Sequence, residues 1–384
     1  MIKTLLLRAV LLFSVILVAP LQAAALIPAP PQVAARAYII MDADTGKVIL
    51  SDREEERFPP ASLTKMMTSY IVAVELAKGN VSKNDLVPIS VKAWQAPGSR
   101  MFVQEGTQVL LSDLMKGIVI QSGNDASVAV AEYIAGSEAA FADLMNQHGV
   151  LLGMKNSHFM NATGLPAEEH YASAHDLALL ARSIIKDYPE HYGIYSEKYF
   201  TYNKIRQPNR NKLLWRDDSV DGLKTGHTDA AGYCLVASAK REGMRLISVV
   251  MGTSSEEARA QESQKLLAYA FRYYRTHKLY DAGQVLETTK IWAGETDTLK
   301  LGLTRELAVT VPRGQNEQLQ AVLDLDKVIQ APVNKGDEFG LVKIMLNEQV
   351  VAEVPVVALE SINEAGLLKR IWDAIALFFF NLIN

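Results

Sequence analysis

The chain has 384 residues, 49% of them hydrophobic and 21% charged, a composition that suits two packed domains and excludes disorder as the main state. With 39 Lys plus Arg against 43 Asp plus Glu and no long run of either sign, the formal net charge of −4 gives no footing for a nucleic-acid partner. The single cysteine, Cys234, excludes an internal disulfide, so the fold must rest on a packed core.

Residues 1–25 read as an export signal: Lys3 and Arg8 precede an apolar stretch over 9–19, and Leu21, Gln22, Ala23 and Ala24 supply a small-residue cleavage site. The mature chain is expected to begin near residues 24–26, because the apolar stretch is short of the roughly 20 residues a spanning helix needs. After a Pro- and Ala-rich linker, apolar runs at 38–41 and 48–50 flank the turn formers 42–46 and predict a hairpin. Pro59 and Pro60 then lead into a helix over 62–78 whose first turn carries Ser62 and Lys65.

Helical periodicity returns at 111–120, 126–134, 138–152 and 174–187, a mostly α block in which no strand pattern intervenes. Strands resume near 222–225, and 232–239 and 244–252 form an antiparallel pair across Arg241, Glu242 and Gly243. Cys234 lies in the apolar run 233–237 and reads as a buried structural thiol. A helix over 255–274 closes this part. From 285 onward, short alternating segments at 299–303, 307–311, 318–325, 340–346 and 350–359 predict a separate β-domain.

At the tail, Leu367, Leu368, Ile371, Trp372, Ile375, Phe378, Phe379, Leu382 and Ile383 recur at helical spacing opposite Lys369, Arg370 and Asp373. The uncharged part, 374–384, is too short to span a bilayer, which favours a helix lying in the headgroup plane over one that crosses it. Packing on the protein's own core is the ordinary alternative.

Three short patterns occur in order: Ser62, Leu63, Thr64, Lys65; Ser122, Gly123, Asn124; and Lys224, Thr225, Gly226. Singly the first two mean little, since residues 183–186 also fit the first, and 82–84 and 361–363 fit the second. Ser183 lies inside an amphipathic helix, where its hydroxyl can bond back to the preceding turn. Ser62 opens a helix after two prolines, and Lys65 projects from the same face one turn later. A serine hydroxyl attacks only when a neighbouring base takes its proton, and a lysine can do so only if desolvation or another cation lowers its pKa. Taken one at a time, Ser62 could be a simple helix cap, Ser122 and Asn124 a loop between helices, and Lys224 a surface strand residue. The ordered set, with the Lys224 pattern unique in the chain, argues against that.

With these residues, and with the stretches 59–67, 120–126, 161–166, 170–176, 209–215 and 221–228, nearly the whole chain resembles the low-molecular-mass penicillin-binding proteins, the D-alanyl-D-alanine carboxypeptidases of the penicillin-binding protein 5 type. The resemblance implies an α/β catalytic domain of the β-lactamase/transpeptidase type, an antiparallel sheet flanked by helices plus an α-helical block, followed by a small all-β domain and a C-terminal amphipathic helix. The expected divisions are 1–25, 26–280, 281–360 and 361–384. Chemistry and resemblance together make Ser62 the nucleophile, Lys65 the base under cationic pressure from Lys224, and Ser122 a proton relay. Asn124 then positions either the substrate amide or Lys65. The oxyanion hole falls to the N–H of Ser62 and that of Thr228 or its neighbour His227, which also shapes the rim. Gly226 completes the strand motif, Thr225 and Arg259 take the substrate carboxylate, and Arg210 supports the floor. A solvated helix position after Glu256 and Glu257 is the alternative for Arg259.

The implied substrate is a peptidoglycan stem peptide ending in D-Ala-D-Ala, with β-lactam antibiotics as mimics that acylate Ser62. The implied place is the periplasmic face of the cytoplasmic membrane, attached through residues 367–384; a homodimer or cell-wall protein partners are left open. No cofactor is called for: no glycine-rich phosphate loop occurs, and His170, His175 and Asp176 lack zinc-protease spacing. Rivals are a DD-endopeptidase or transpeptidase using the same serine, a silent peptidoglycan-binding protein, and a class A β-lactamase. The last needs a Glu base on a loop before Lys224, and Glu168 and Glu169 occupy that region without the expected surroundings.

Overall fold

In the computed structural model, which describes residues 27–383, β1 (Ala37–Asp42) and β2 (Val48–Asp52) form an antiparallel hairpin whose turn glycine, Gly46, takes φ +74°. The export signal expected at residues 1–25 lies outside the described residues. A 3-10 turn, Ala61–Thr64, runs directly into α1 (Lys65–Lys78), whose residues from Lys65 to Val74 are all buried. A helix surrounded on all sides needs no polar stripe, and its buried hydroxyls are partnered, Thr68 donating to the Ala162 carbonyl and Ser69 bonding His191.

Next come β3 (Leu86–Pro88), α2 (Val91–Gln95), β4 (Gln108–Leu110) and α3 (Leu111–Lys116). A π-helical turn, Gly117–Gln121, then delivers Ser122 in the left-handed region at φ 67°. α4 (Asn124–Ala135), α5 (Glu138–Leu151) and α6 (Ala174–Asp187) complete the helical block; Ser137 and Ser173 cap α5 and α6 by accepting from the N–H groups of Ala140 and Asp176. After α7 (Pro189–Tyr192), the hairpin β5 (Tyr199–Tyr202) and β6 (Ile205–Pro208) precedes the turn Lys212–Trp215. β7 (Val220–Thr228), β8 (Gly232–Arg241), β9 (Met244–Thr253) and α8 (Glu256–Tyr273) finish the unit.

The main sheet runs β2-β1-β9-β8-β7, antiparallel throughout, with β7 at an edge. Both faces are covered. Leu235, Ala237 and Val250 pack with Leu266, Leu267 and Phe271 of α8, while Cys234, Val236 and Val249 face the core that holds α1 and α6. Alternate residues of one strand thus serve two cores, which explains an apolar run at 233–237 instead of alternation. Cys234 is buried and its thiol is pushed up to about 11 by that burial, as befits a structural residue.

The strands resume earlier than the sequence pattern suggests. β3, β4, β5 and β6 are three or four residues each, too short to show a period of two. Likewise β10 (Tyr274–Tyr280) directly continues α8 yet pairs with β13 (Leu307–Pro312), so by its hydrogen bonds it lies with the β-domain. That domain also contains β11 (Val285–Trp292), β12 (Thr298–Gly302), β14 (Leu319–Leu325), β15 (Ile329–Gln330), β16 (Glu338–Leu346) and β17 (Gln349–Ala358). They form a sheet ordered β14-β16-β17-β12-β11-β15 around Leu299, Leu301, Val342, Ile344 and Val356. α9 (Leu367–Ile383) ends the chain, its Asp373 carboxylate accepting from the Ala293 N–H at 2.8 Å.

A fully buried carboxylate lies where the two units meet. Asp42 accepts from the Asp44 and Thr45 N–H groups, each at 2.9 Å, and from the Thr276 hydroxyl across the joint, while Thr45 and Thr310 hydroxyls lie 2.7 Å apart. Asp42→Ala strands two backbone donors and is expected to lower unfolding free energy by about 1–3 kcal/mol, with Asp42→Asn losing less, as read by denaturant titration. Equal stability of all three proteins would show that the joint contributes nothing.

Candidate active site

Ser62 lies in the 3-10 turn that Pro59 and Pro60 lead into, and among the described residues its hydroxyl makes no capping bond to the turn or to α1. The simple-cap alternative therefore does not hold. Its hydroxyl accepts instead from Lys65 Nζ at 3.1 Å. Lys65, 1% exposed, also donates to Asn124 Oδ1 at 2.6 Å and to the Thr163 carbonyl at 2.5 Å. Burial first, and then the Arg210 guanidinium, push the Lys65 ammonium down to about 7, against an opposing pull from Asp125 and Glu138.

Lys224 comes from the edge strand β7 and is equally enclosed, donating to Ser122 Oγ and to the Thr225 carbonyl, both at 3.0 Å. Burial, then Lys65, Arg210 and Arg259, hold it well below the ordinary lysine range. Desolvation leads the pressure on Lys65, the Arg210 guanidinium adds to it, and Lys65 and Lys224 each disfavour the other's charge, as expected of two enclosed ammonium groups. Arg210 is exposed and makes no hydrogen bond or ion pair among the described residues.

Asn124 spends its amide on the protein. Its oxygen takes Lys65 and its nitrogen donates to the Pro97 carbonyl at 2.6 Å, so of the two roles expected for it the structure shows the one toward Lys65. Thr225 and Arg259 are each 5% exposed. Arg259 reaches from α8 to the Gly226 carbonyl at 3.3 Å and lies over the Tyr233 ring, which rules out a solvated helix position. His227 is exposed and stacks on Tyr233 with ring centres 4.0 Å apart. Gly226 lets β7 close on the Ser62 turn: a Cβ there would come 3.0 Å from the Pro60 carbonyl oxygen and 3.3 Å from Ala61 Cβ.

Several contributors leave no side-chain signal in the sequence. The Thr163 and Pro97 carbonyls that fix Lys65 and Asn124 are backbone groups. Gly164, at φ +81°, lets the loop touch the Ser62 turn, since a Cβ would fall 1.9 Å from the Ala61 carbonyl oxygen. Others are side chains that the sequence displays. Asp125, next to the Ser122 pattern and fully buried, accepts from the N–H groups of Met101, Phe102 and Val103 and so pins the opposite wall. Glu138 accepts from the Ala162 N–H and pairs with Lys92 of α2 at 2.8 Å. His170 lies against the Thr64 hydroxyl at 2.9 Å, pushed down to about 4 by burial, and Asp176 takes the N–H groups of Lys155 and Asn156, so both serve the loops.

A serine hydroxyl held by a buried, depressed lysine, faced by a second serine–lysine pair whose lysine comes from an edge strand, defines a serine peptidase of the penicillin-recognising class. The chain belongs to the D-alanyl-D-alanine carboxypeptidase family, which it matches over residues 24–255, and residues 274–364 match the penicillin-binding protein 5, C-terminal domain. It is 42% identical over 357 residues to the D-alanyl-D-alanine carboxypeptidase DacC of Escherichia coli, covering 91% of this chain and 89% of that one. It is 42% identical over 354 residues to DacA of Haemophilus influenzae, covering 91% and 90%. Among solved structures, penicillin-binding protein 5 of Haemophilus influenzae superposes with a TM-score of 0.84 at 42% identity, covering 88% of this chain and all of that chain (100%). Penicillin-binding protein D2 of Listeria monocytogenes in its ampicillin-bound form gives 0.58 at 27% identity over 63% of this chain and 100% of that one. The protein is a D-alanyl-D-alanine carboxypeptidase, a serine-type hydrolase, with the expected transpeptidase-type fold and all-β C-terminal domain.

Gly164→Ala is expected to drive the Thr163 carbonyl off Lys65 and lower kcat/KM for D-alanine release by about 10²-fold, in line with a sub-ångström to 1 Å misplacement of a catalytic group. Circular dichroism should be unchanged; full activity in the variant would mean the loop does not hold Lys65.

Proposed function

We propose that Ser62 is the nucleophile of this carboxypeptidase and that its substrate is a peptidoglycan stem peptide ending in D-Ala-D-Ala. The observation that carries the reading is Lys65 Nζ, buried, pushed down to about 7 and 3.1 Å from Ser62 Oγ. A neutral fraction is then present near neutrality, and its lone pair takes the Ser62 proton as Oγ attacks the penultimate D-alanine carbonyl. The N–H groups of Ser62 and of His227 or Thr228 receive the developing oxyanion. Ser122, hydrogen-bonded to Lys224, passes a proton to the leaving D-alanine amine. Thr225, Arg259 and the unpaired Arg210 take the terminal carboxylate, an anion that charge-assisted donors hold well. Water activated by the same Lys65 then hydrolyses the Ser62 ester. A β-lactam, which mimics the dipeptide, acylates Ser62 in its place. Glu168 and Glu169 are exposed and make no hydrogen bond to Ser62 among the described residues, which disfavours the β-lactamase reading.

We also propose that the enzyme works at the periplasmic face of the cytoplasmic membrane, seated through α9. No helix of the described chain is long and apolar enough to cross a membrane. Yet Leu367, Leu368, Trp372 and Leu382 are each over 70% exposed, so one face of the helix is left uncovered while the other is held against the β-domain. A contiguous apolar face of this kind suits the boundary between headgroups and acyl chains.

Benzylpenicillin is expected to leave a mass adduct on Ser62 and none in Ser62→Ala, with D-alanine release from a pentapeptide lost in the same variant. Adduct without release would instead favour an endopeptidase or a silent binder, and no adduct would sink serine acylation. Because the reactive Lys65 is the neutral one, acylation should rise as pH rises through about 7, and Lys65→Gln should slow it by about 10²–10⁴-fold. Removal of residues 367–384 should move the protein from washed vesicles of anionic lipid to the supernatant; retention would refute membrane seating by α9.

A further inference from the structure

β7 is the open edge of the main sheet, and an extended peptide laid along such an edge gains main-chain hydrogen bonds while its side chains enter pockets alternately. The direction of the substrate follows from the charges. Its carboxylate end faces Thr225, Arg210 and Arg259, and its reacting carbonyl lies by Ser62, which packs near Gly226. The residues before D-Ala-D-Ala therefore run past Thr228 toward Ala230, antiparallel to β7.

A cavity of about 400 Å³ opens on that side, between the Ser62 turn and the loop after Gly164; Pro60, Ala61, Leu165, Pro166 and Thr228 line it, with Glu168. Its walls are largely apolar. Glu168 is exposed and engages no hydrogen bond or ion pair among the described residues, so its carboxylate is free to pair with an incoming group. Apolar walls ending in an unpaired anion complement an aminoalkyl chain, whose methylenes lie along proline and leucine while its ammonium reaches the carboxylate.

We propose that this cavity is the subsite for the side chain of the stem-peptide residue immediately preceding D-Ala-D-Ala, and that Glu168 selects a diamino acid bearing a free ammonium there. The proposal rests on the carboxypeptidase reading with Ser62 as nucleophile. It assigns to Glu168 a role in choosing the substrate and none in the chemistry.

The test compares two peptides, Nα-acetyl-Lys-D-Ala-D-Ala with its ε-ammonium free and the same peptide with that amine acetylated, by the ratio of kcat/KM for D-alanine release at low ionic strength. The wild type is expected to favour the free ammonium by roughly two- to fivefold, the range of an exposed ion pair. Glu168→Gln should bring the ratio near unity, Glu168→Lys should invert it, and added salt should shrink the wild-type preference. A ratio that is the same in wild type and both variants would overturn the subsite. Failure of the wild type to release D-alanine from either peptide would instead overturn the reading on which it rests.

Discussion

An ammonium group taken out of water costs several kcal/mol unless something replaces its hydration shell, and the catalytic domain is arranged to replace that shell at Lys65 only in part. Three acceptors from separate segments, Ser62 Oγ, Asn124 Oδ1 and the Thr163 carbonyl, converge on Nζ, and no carboxylate is among them. Acceptors without formal charge hold the amine in place without anchoring its proton. Had Asp125 or Glu138 stood in direct contact, the lysine would have been a fully charged ion-pair partner and useless as a base near neutrality. Both act from a distance on Lys65 while their oxygens are occupied by backbone donors or Lys92.

The rest of the domain can be understood as the support for that convergence. α1 is buried along its first ten residues because its N-terminal turn must present Ser62 and Lys65 from the middle of the molecule. The left-handed Ser122 turns the chain sharply between the π-helical turn and α4, which places Ser122 and Asn124 on opposite lysines. A Cβ at Gly164 would clash outright and one at Gly226 would crowd its neighbours, so the Thr163 loop and β7 both sit within contact of the Ser62 turn.

The sequence made the side chains of the site legible through the order of three short patterns, and the hairpins of β1–β2 and β8–β9 through alternation and turn residues. What it hid follows from physics. Carbonyls such as those of Thr163 and Pro97 belong to every residue type, so their use carries no compositional mark. Arg259 was ambiguous beside Glu256 and Glu257, because only tertiary packing against Tyr233 and Gly226 distinguishes a buried cation from a solvated one. Arg210 was visible as a residue, but an electrostatic action through space has no local pattern. β10 escaped because it follows α8 without a turn, and its partner β13 lies a loop and two strands away.

α9 is tied to the β-domain at more than one point: Asp373 to the Ala293 N–H, Lys369 to the Gly294 carbonyl and to Asp297, and Phe380 against Trp292. It is a bracket and not a tether. With the helix seated on a lipid surface as proposed, and with Asp42 bonded to Thr276 and Thr45 to Thr310 across the joint between the domains, the cleft cannot wander on a flexible leash. Its altitude above the bilayer becomes a dimension of the fold, and the search for stem peptides is confined to a thin layer of wall at that height, where a limited number of ends is encountered at a raised local concentration.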